Sequence, residues 1–434
     1  MLREEVWLPF AESLAHEHEG RLRAVLGSRI RHTVGMRRVA ITGLGIVSGL
    51  GCEVGGFWDA VLAGESAARE VTLPGLDPLP AVVVDEVDAD GTIGRREAKR
   101  MDRFAVLAAV AAARALADAG EIEVDPWRFG ASIASAHGGA ATLDEAQLAL
   151  RERGADRVSP FTVPLLLANS AVASVARVNG LRGPTSAPCT ACASGSDAIG
   201  WGFERIRSGR ADAMVVGGAE AALVPTIMAG YVKLGAVASL ERGAAAASRP
   251  FDRARDGFVM AEGAGALVLE EMERAVARGA RIHGEVVGYG QACDAGHLTS
   301  PDETGQGPAR AIAEALADAG LDPSAIGYVN AHATSTPVGD AAEARALAIA
   351  GLGSTPVSST KGQHGHTLGA AGAIEAIAAL AAFGRDQLPP CANLDDPDVD
   401  LDLVREARPT DAEHVMSTGF GFGGHDAALI LRRV

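Results

Sequence analysis

The chain has 434 residues, 53 of them glycine, and a formal net charge of −16 at pH 7. This length allows one large globular unit or two closely packed domains, and the charge disfavours nucleic acid and anionic membranes as partners. The five cysteines do not form a disulfide framework, so we expect a reducing compartment, by default the cytosol. Because no uncharged apolar stretch reaches the length of a transmembrane helix, we expect no membrane insertion.

The first strand-like run, RRVAITGLGIV, begins directly after Met36. Residues 1–35 mix charged and apolar side chains throughout and lack the uninterrupted apolar core of a secretory signal. We treat them as an N-terminal extension and assign them no function.

The hexapeptide ALADAG occurs at 115–120 and again at 315–320, each time at the end of an alanine-rich helical stretch. A strand-like run precedes each copy, and a loop with proline and a second strand-like run follow it. This order favours a duplicated α/β domain, with halves at 36–285 and 286–434, over chance recurrence in an alanine-rich chain.

Residues 185–200, TSAPCTACASGSDAIG, carry Cys189 and Cys192 in a C-x-x-C spacing. A zinc site would need a second ligand pair of similar spacing, and the chain has none. The pattern predicts a strand, a tight turn and a helix start, with Cys189 pointing inward from the strand and Cys192 at the helix N-terminus. The helix dipole would lower the pKa of Cys192 there and make it a nucleophile. From this stretch alone, two inert core cysteines are an equal alternative.

Two later segments carry histidines at predicted strand ends. His332 lies in YVNAHATSTPVGD, and His366 lies in VSSTKGQHGHTLGAAGAIEAI. Open α/β sheets build their sites at the C-terminal ends of strands, so both histidines are candidates for chemistry. A metal site with His364 is a weaker interpretation, because no suitably spaced carboxylates accompany it, and we expect His364 on the outer side of its loop.

The last segment, MSTGFGFGGHDAALILRRV, places a glycine and phenylalanine loop between two strand-like runs. Such a loop leaves backbone N–H groups free, which suits an oxyanion hole with an aromatic gate. The alternative is a plain turn whose phenylalanines fill the core.

The motifs TACASG, NAHATSTPVGD, SSTKGQHGHTLGAAGAIEA and GFGFGGH occur in this order and resemble the β-ketoacyl-acyl-carrier-protein synthases, most of all the ketoacyl synthase II branch. The resemblance covers residues 37–434. It implies a duplicated thiolase-like fold of five layers, αβαβα, and decarboxylative condensation of an acyl thioester with malonyl-carrier protein.

The resemblance also assigns roles to residues. Cys192 takes the acyl chain as a thioester, and His332 and His366 serve decarboxylation and stabilise the enolate. Lys361 and Glu375 form an ion pair near His366, and Asp340 and Glu343 are acidic positions behind His332. Thr334 and Thr336 contact the pantetheine arm. Phe422, with Phe420 beside it, is the gate, and the N–H of Phe422 joins that of Cys192 in the oxyanion hole. The family needs no metal or other cofactor, and phosphopantetheine arrives on the acyl carrier protein.

Rival functions are disfavoured by the same residues. A thiolase acting on coenzyme A thioesters would have a second cysteine in the C-terminal glycine loop, and initiating ketoacyl synthases have asparagine in place of His366. A non-catalytic subunit that sets chain length would not need Cys192.

The segment GRREAKRMDR, residues 94–103, resembles the carrier-docking segment of the family at Arg96, Lys99 and Arg100. A basic helix on an acidic protein would steer an acidic carrier, although an ordinary solvated helix face has the same spacing. The resemblance also implies a dimer, either with a second copy or with a chain-length-factor homologue.

Three departures from the family pattern lie near the site. Ala333 replaces a glycine, Thr418 and Gly419 replace asparagine and serine, and GGHD replaces GGTN. We expect these changes in the gating loop and the wall of the acyl pocket, where they would affect chain length and starter choice. The sequence does not choose between a fatty acid and a polyketide pathway.

Overall fold

A computed structural model describes residues 36–434, so the assignment of residues 1–35 lies outside the described residues. The strands, labelled in chain order, are β1 (Val39–Val47), β2 (Arg69–Val71), β3 (Leu79–Val82), β4 (Phe129–Ala134), β5 (Thr185–Ser186), β6 (Ala213–Glu220), β7 (Met260–Ala261), β8 (Gly263–Glu271), β9 (Gly284–Cys293), β10 (Ile326–Asn330), β11 (Pro356–Ser358), β12 (Gln387–Leu388), β13 (Asp402–Leu403), β14 (Arg408–Pro409), β15 (His414–Gly421) and β16 (His425–Arg432).

The α-helices are labelled in the same way. They are α1 (Val54–Ala63), α2 (Arg95–Ala98), α3 (Arg103–Ala119), α4 (Ala140–Arg153), α5 (Thr162–Leu166), α6 (Ser170–Asn179), α7 (Ser194–Arg207), α8 (Pro225–Lys233), α9 (Met272–Ala277), α10 (Gln306–Ala319), α11 (Pro337–Ile349), α12 (Lys361–His364), α13 (Ala371–Ala379) and α14 (Ala381–Gly384).

The large sheet contains the same strand arrangement twice. One half has the order β5-β4-β6-β8-β1, and the other has β11-β10-β15-β16-β9 with β13 added at its edge. In each half the first two pairings in this order are parallel and the last two are antiparallel, so only the fourth strand runs against the others. The two ALADAG copies end α3 and α10, so the predicted duplication is confirmed in the topology.

The halves meet along a short antiparallel pairing of β1 with β9, from Val39 opposite Val286 to Ile41 opposite Gly284. The outer helices α3 and α10 pack on the outer faces of β1 and β9, respectively. The central helices α7 and α13 contact strands of both halves and each other. The layers are therefore αβαβα, as the resemblance implies.

Close approach of the two central helices depends on glycine. A Cβ atom at Gly372 of α13 would lie 2.4 Å from the backbone nitrogen of Ser196 in α7. Every residue of α13 is buried, which explains its almost uniformly small and apolar sequence. The contact between Gly372 and Ser196 fixes the start of α7 next to the loop before α13, and the functional side chains converge at this point.

Within residues 36–434, none of the helices has the length and apolar character needed to cross a membrane.

Candidate active site

Cys192 lies in a 3₁₀ turn, Ala191–Ala193, directly before α7, and its exposed fraction is 7%. Ala191 has a φ of 50°, in the left-handed region that non-glycine residues rarely adopt. The Ser194 hydroxyl braces this turn, because it accepts from the N–H of Thr190 at 2.7 Å and donates to the carbonyl of Ala191 at 2.6 Å. The strained turn therefore presents the sulfur at the front of the central helix.

Cys189 does not lie on the strand that we predicted for it. β5 ends at Ser186, and Cys189 is exposed in the loop that follows, with its sulfur 3.6 Å from the carbonyl oxygen of Ala136. The two cysteines of the C-x-x-C spacing are therefore in different environments.

A cavity of about 450 Å³ opens beside the Cys192 sulfur. Its lining includes His332, His366, Thr334, Thr336, Phe420 and Phe422. The hydroxyl oxygens of Thr334 and Thr336 lie 3.1 Å apart in this lining. The structure thus brings Cys192 together with predicted residues that lie more than a hundred residues further along the chain.

The two imidazoles converge on the thiol. His366 Nε2 lies 3.0 Å from Cys192 Sγ, and the rings of His332 and His366 stand edge to face with centroids 5.4 Å apart. His366 is fixed by the segment that leads into β7, because its backbone N–H donates to the carbonyl of Val259 at 2.7 Å and the ring of Phe258 packs against its imidazole with centroids 5.4 Å apart. One sulfur and two neutral nitrogens thus face a common point.

Glu343 holds the loop that carries His332. Its carboxylate accepts from the backbone N–H groups of His332 at 2.8 Å and Ala333 at 2.6 Å, and from the Thr418 hydroxyl at 2.7 Å. Thr418 is fully buried, and its hydroxyl oxygen also lies 3.0 Å from the His332 nitrogen. Thr418 therefore lies behind His332 and not in the wall of the acyl pocket, where we expected it; its spacing from His332 in the sequence gave no signal of this contact.

Asp340 anchors the start of α11. Its carboxylate accepts from the N–H groups of Phe251 at 2.8 Å and Thr336 at 3.2 Å, and Arg255 lies 3.6 Å away. Burial raises the pKa of Asp340 to about 7, against the opposing effects of these N–H groups and of Arg255. Asp340 thus positions the loop of Thr336 without contacting the cavity itself.

Lys361 and Glu375 form an ion pair between α12 and α13, and both side chains are almost completely buried. The charge of Lys361 acts on His366, near which we expected the pair, and Lys361 Nζ also lies 3.4 Å from Nδ1 of His332. A buried ammonium at this position disfavours a second positive charge on His332.

Breaking this pair should destabilise the fold. We expect Glu375→Ala to lower the free energy of unfolding by about 3–5 kcal/mol, because it leaves the Lys361 charge buried and unpaired. Urea unfolding monitored by circular dichroism measures the loss. Glu314→Ala, which breaks the exposed pair with Arg310 on α10, is the matched control and should have little effect. Equal losses in the two variants would contradict the account.

Both histidines remain neutral near pH 7. Burial and the positive charge of Lys361 hold the pKa of His332 and the pKa of His366 well below the ordinary value. A neutral imidazole offers one N–H donor and one acceptor nitrogen. The pair can therefore donate hydrogen bonds to a developing anion and accept a thiol proton.

Burial raises the pKa of Cys192 to about 12, and the charge of Lys361 and the N–H of Phe422 only partly oppose it. The predicted lowering by the helix dipole is therefore wrong for the resting site. A helix terminus contributes at most about 2 kcal/mol, about 1.5 pKa units, which is less than the cost of burying a thiolate here. The resting nucleophile is a thiol, with His366 Nε2 as the nearest proton acceptor.

This protonation state has a measurable consequence. The rate of Cys192 alkylation by iodoacetamide should rise about tenfold per pH unit from pH 7 to at least roughly pH 10, because the thiolate fraction grows throughout this range. Peptide mass analysis locates and times the modification. A plateau below about pH 9 would contradict a pKa raised by burial.

The loop between β15 and β16 closes over the sulfur. A Cβ atom at Gly421 would lie 3.0 Å from the Cys192 nitrogen, so only glycine lets the loop approach this closely. The N–H of Phe422 partly opposes the rise in the pKa of Cys192, and the ring of Phe420 packs edge-on against His332 with centroids 5.9 Å apart. Cys192 and Phe422 both line the cavity, so a shared oxyanion hole formed by their backbone N–H groups stays a prediction.

His364 does not lie on the outer side of its loop. It is 1% exposed, its Nε2 lies 3.0 Å from the Thr360 hydroxyl, and its ring packs against Phe57 of α1. Among the described residues, the metal-like cluster is instead Cys192, His332 and His366, whose ligand atoms lie within 4.8 Å of one another. No acidic oxygen belongs to this cluster of residues 36–434, and its donor set equally suits nucleophilic chemistry.

The basic segment lies on the surface around α2. Arg96, Lys99 and Arg100 are exposed, and within the described part of the chain they form no ion pair. Arg103 at the start of α3 differs, because its Nε lies 2.6 Å from Glu262. Arg96, Lys99 and Arg100 are therefore free to meet an acidic partner.

Family models match most of the chain: the Beta-ketoacyl synthase N-terminal domain at residues 36–275 and its C-terminal domain at residues 283–395. The 3-oxoacyl-[acyl-carrier-protein] synthase 2 of Synechocystis sp. is 42% identical over 409 residues, 92% of this chain and 98% of that protein. The relative from Vibrio cholerae with the same name is 43% identical over 411 residues, 92% of this chain and 99% of its own.

Solved structures agree, and each of the three compared covers 92% of this chain and 100% of its own. A beta-ketoacyl synthase from Burkholderia phymatum has a TM-score of 0.85 at 38% identity. AntDE:AntF, a type II PKS acyl-carrier protein in complex with its ketosynthase bound to the hexaketide, has a TM-score of 0.83 at 32% identity. The ishigamide ketosynthase/chain length factor has a TM-score of 0.83 at 34% identity. With the cysteine, the two imidazoles and the duplicated fold in one arrangement, the chain belongs to the β-ketoacyl synthase family.

Proposed function

We propose that this β-ketoacyl synthase carries the acyl chain on Cys192 and extends it by two carbons with malonyl-carrier protein. The observation that carries this proposal is the 3.0 Å separation of Cys192 Sγ and His366 Nε2, with a second neutral imidazole beside them. In this division of labour the half at 36–285 supplies the nucleophile, and the half at 286–434 supplies the histidines.

The first half-reaction is acyl transfer. Cys192 attacks the acyl-carrier thioester, its proton passes to Nε2 of His366, and the tetrahedral oxyanion accepts from the N–H groups of Cys192 and Phe422. Collapse of this intermediate breaks the bond to the pantetheine sulfur, which takes the proton from His366. The products are the acylated cysteine and a free carrier thiol.

The second half-reaction is decarboxylative condensation. The malonyl carboxylate leaves as carbon dioxide, and the enolate oxygen accepts hydrogen bonds from the imidazoles of His332 and His366. The enolate carbon then attacks the Cys192 thioester, the carbon–sulfur bond breaks, and the thiolate takes up one proton from the solvent. The pantetheine arm is a part of the carrier substrate, and Thr334 and Thr336 line the cavity in which it would lie.

A product assay separates this function from its rivals. Acyl-carrier and malonyl-carrier protein together should yield a carrier-bound β-ketoacyl chain, whereas acyl and acetyl thioesters of coenzyme A should give no condensation product. Condensation without a malonyl group would indicate a thiolase. No turnover of either pair would favour a non-catalytic subunit.

We also propose that Arg96, Lys99 and Arg100 dock the carrier protein. A basic surface on a chain with net charge −16 attracts an acidic carrier and raises the rate of encounter. We expect the triple change to Glu to lower kcat/KM for acyl-carrier protein at least about tenfold at low salt, mainly through KM. The difference should shrink as salt is added, because ionic screening weakens the attraction.

We also propose that a partner subunit binds at an exposed apolar region of the surface. Apolar side chains of and after α4 are more than half exposed, namely Leu148, Leu150, Phe161 and Val163. β5 lies at an edge of the large sheet nearby in the chain, so a partner subunit could cover this region. Because Cys192 is present, the chain would be the catalytic member of any pair. Sedimentation of the purified chain distinguishes a homodimer from a subunit that needs a chain-length factor.

The five free cysteines of the described residues support a reducing compartment such as the cytosol.

A further inference from the structure

The surroundings of Cys192 are mostly apolar, and the half-buried Tyr231 adds a hydroxyl group to them. The sulfur packs in a cluster with Met228, Phe258, Met260 and Leu368. Tyr231 at the end of α8 packs against the same cluster and forms part of the cavity lining. Sequence analysis did not single out Tyr231, because an isolated tyrosine in a helix has no motif.

The Tyr231 hydroxyl belongs to a chain of polar groups that leads away from the cavity. Its oxygen lies 3.2 Å from Nε2 of His137, and Nδ1 of His137 lies 3.5 Å from a carboxylate oxygen of Glu220. Glu220 is completely buried at the end of β6 and accepts from the N–H groups of Ala136 at 2.8 Å and Gly369 at 3.1 Å. Because these backbone groups fix the carboxylate, the series of polar groups ends inside the protein at a rigidly held Glu220.

The order of the groups sets the direction of the hydrogen bonds. Nδ1 of His137 forms no hydrogen bond within the described residues, but the negative charge of Glu220 at 3.5 Å favours the tautomer with the proton on Nδ1. Nε2 of His137 is then an acceptor and takes the Tyr231 O–H. The phenol oxygen keeps its lone pairs but has no proton left to give. Tyr231 therefore offers an acceptor, and a saturated or keto-substituted acyl chain has no donor for it.

The position of the phenol is constrained from two further sides. The Tyr231 ring packs edge-on against Phe258 with centroids 5.5 Å apart, and it lies 6.2 Å from the ring of Phe422. Phe258 in turn packs against His366. The phenol ring is thus held against Phe258 and near Phe422, in the lining of the cavity that opens beside Cys192.

We propose that Tyr231 is a specificity-determining residue, which accepts a hydrogen bond from a hydroxyl group near the thioester of the acyl substrate. The inference rests on the proposed function and adds a substrate class, hydroxyacyl chains. Reduction of a β-keto product creates such a hydroxyl, so the preceding reaction would be a ketone reduction without loss of water.

The test compares three acyl-carrier proteins of equal chain length: saturated, 3-hydroxyacyl and 3-oxoacyl. The rate of acyl adduct formation, followed by intact-mass analysis, gives the selectivity of each enzyme. The wild type should prefer the 3-hydroxyacyl chain over the other two, and Tyr231→Phe should lower that preference about fivefold, the effect of one hydrogen bond. Tyr328→Phe is the matched control, because it removes a hydroxyl that bonds Ser358 at 2.7 Å outside the cavity lining.

A second variant tests the direction of the hydrogen bond between Tyr231 and His137. His137→Leu frees the Tyr231 proton, so the variant should discriminate less between 3-hydroxyacyl and 3-oxoacyl chains than the wild type. A wild type without preference for the hydroxyl, or a Tyr231→Phe variant with unchanged selectivity, would overturn the inference. The saturated substrate keeps the proposed function separate, because failure to form any adduct with it in the wild type would contradict that function instead.

Discussion

Cys192→Ala is expected to form no acyl adduct and to lose condensation by roughly four orders of magnitude or more, since removal of a nucleophile abolishes the covalent route. The structure indicates that this change removes the nucleophile without altering the surrounding turn. The turn at Ala191 and the hydrogen bonds of Ser194 do not depend on the sulfur, so the fold and the cavity should survive. Intact-mass analysis after incubation with acyl-carrier protein measures the adduct.

Cys189→Ala is the matched control for this result. Cys189 is exposed, lies in the same C-x-x-C spacing and is absent from the cavity lining of the described residues. It should form the adduct at the wild-type rate. An adduct that persists in Cys192→Ala but disappears in Cys189→Ala would exchange the roles of the two cysteines and contradict the site described above.

His332→Ala is expected to lower malonyl decarboxylation about 10²–10³-fold, because it removes one of two donors aimed at the enolate. His366→Ala should impair both half-reactions, since its Nε2 also lies 3.0 Å from the attacking sulfur. The two variants should therefore differ most in the rate of Cys192 acylation. Release of labelled carbon dioxide from malonyl-carrier protein measures one half-reaction, and adduct formation measures the other.

His366→Asn tests the donor argument further. An asparagine amide retains an N–H donor but does not accept a thiol proton as imidazole does. This variant should keep more decarboxylation activity than His366→Ala and remain slow in acylation. Thermal unfolding of each variant shows whether the buried site tolerates the change. Equal loss of both half-reactions in His332→Ala and His366→Ala would contradict separate roles.

The fold was largely predictable because its main signal is local. ALADAG ends a helix in both halves, and the strand-like runs on either side of each copy became β1 and β4 or β9 and β10. The pairing of β1 with β9 joins residues far apart in the chain, and no sequence pattern encodes it. Layer order followed from the resemblance, and the close contact at Gly372 became visible only in three dimensions.

The candidate site shows where sequence reasoning reached its limit. Residue types and strand ends led to Cys192, His332 and His366, which the cavity brings together. The expected environments of Cys189 and His364 were wrong, because burial depends on distant neighbours: Phe57 of α1 covers His364. The prediction of a lowered pKa for Cys192 was wrong for the same reason, because a sequence shows where a helix starts but does not show how far a thiol is desolvated.

The most direct test of the central claim follows the acyl group through one turnover. Wild-type enzyme is incubated with an acyl-carrier protein of defined length, the modified peptide is located by mass, and malonyl-carrier protein is then added. The account predicts an adduct on the peptide that contains Cys192, and its discharge as a carrier-bound β-ketone two carbons longer. An adduct elsewhere, or discharge by water with no longer product, would contradict it.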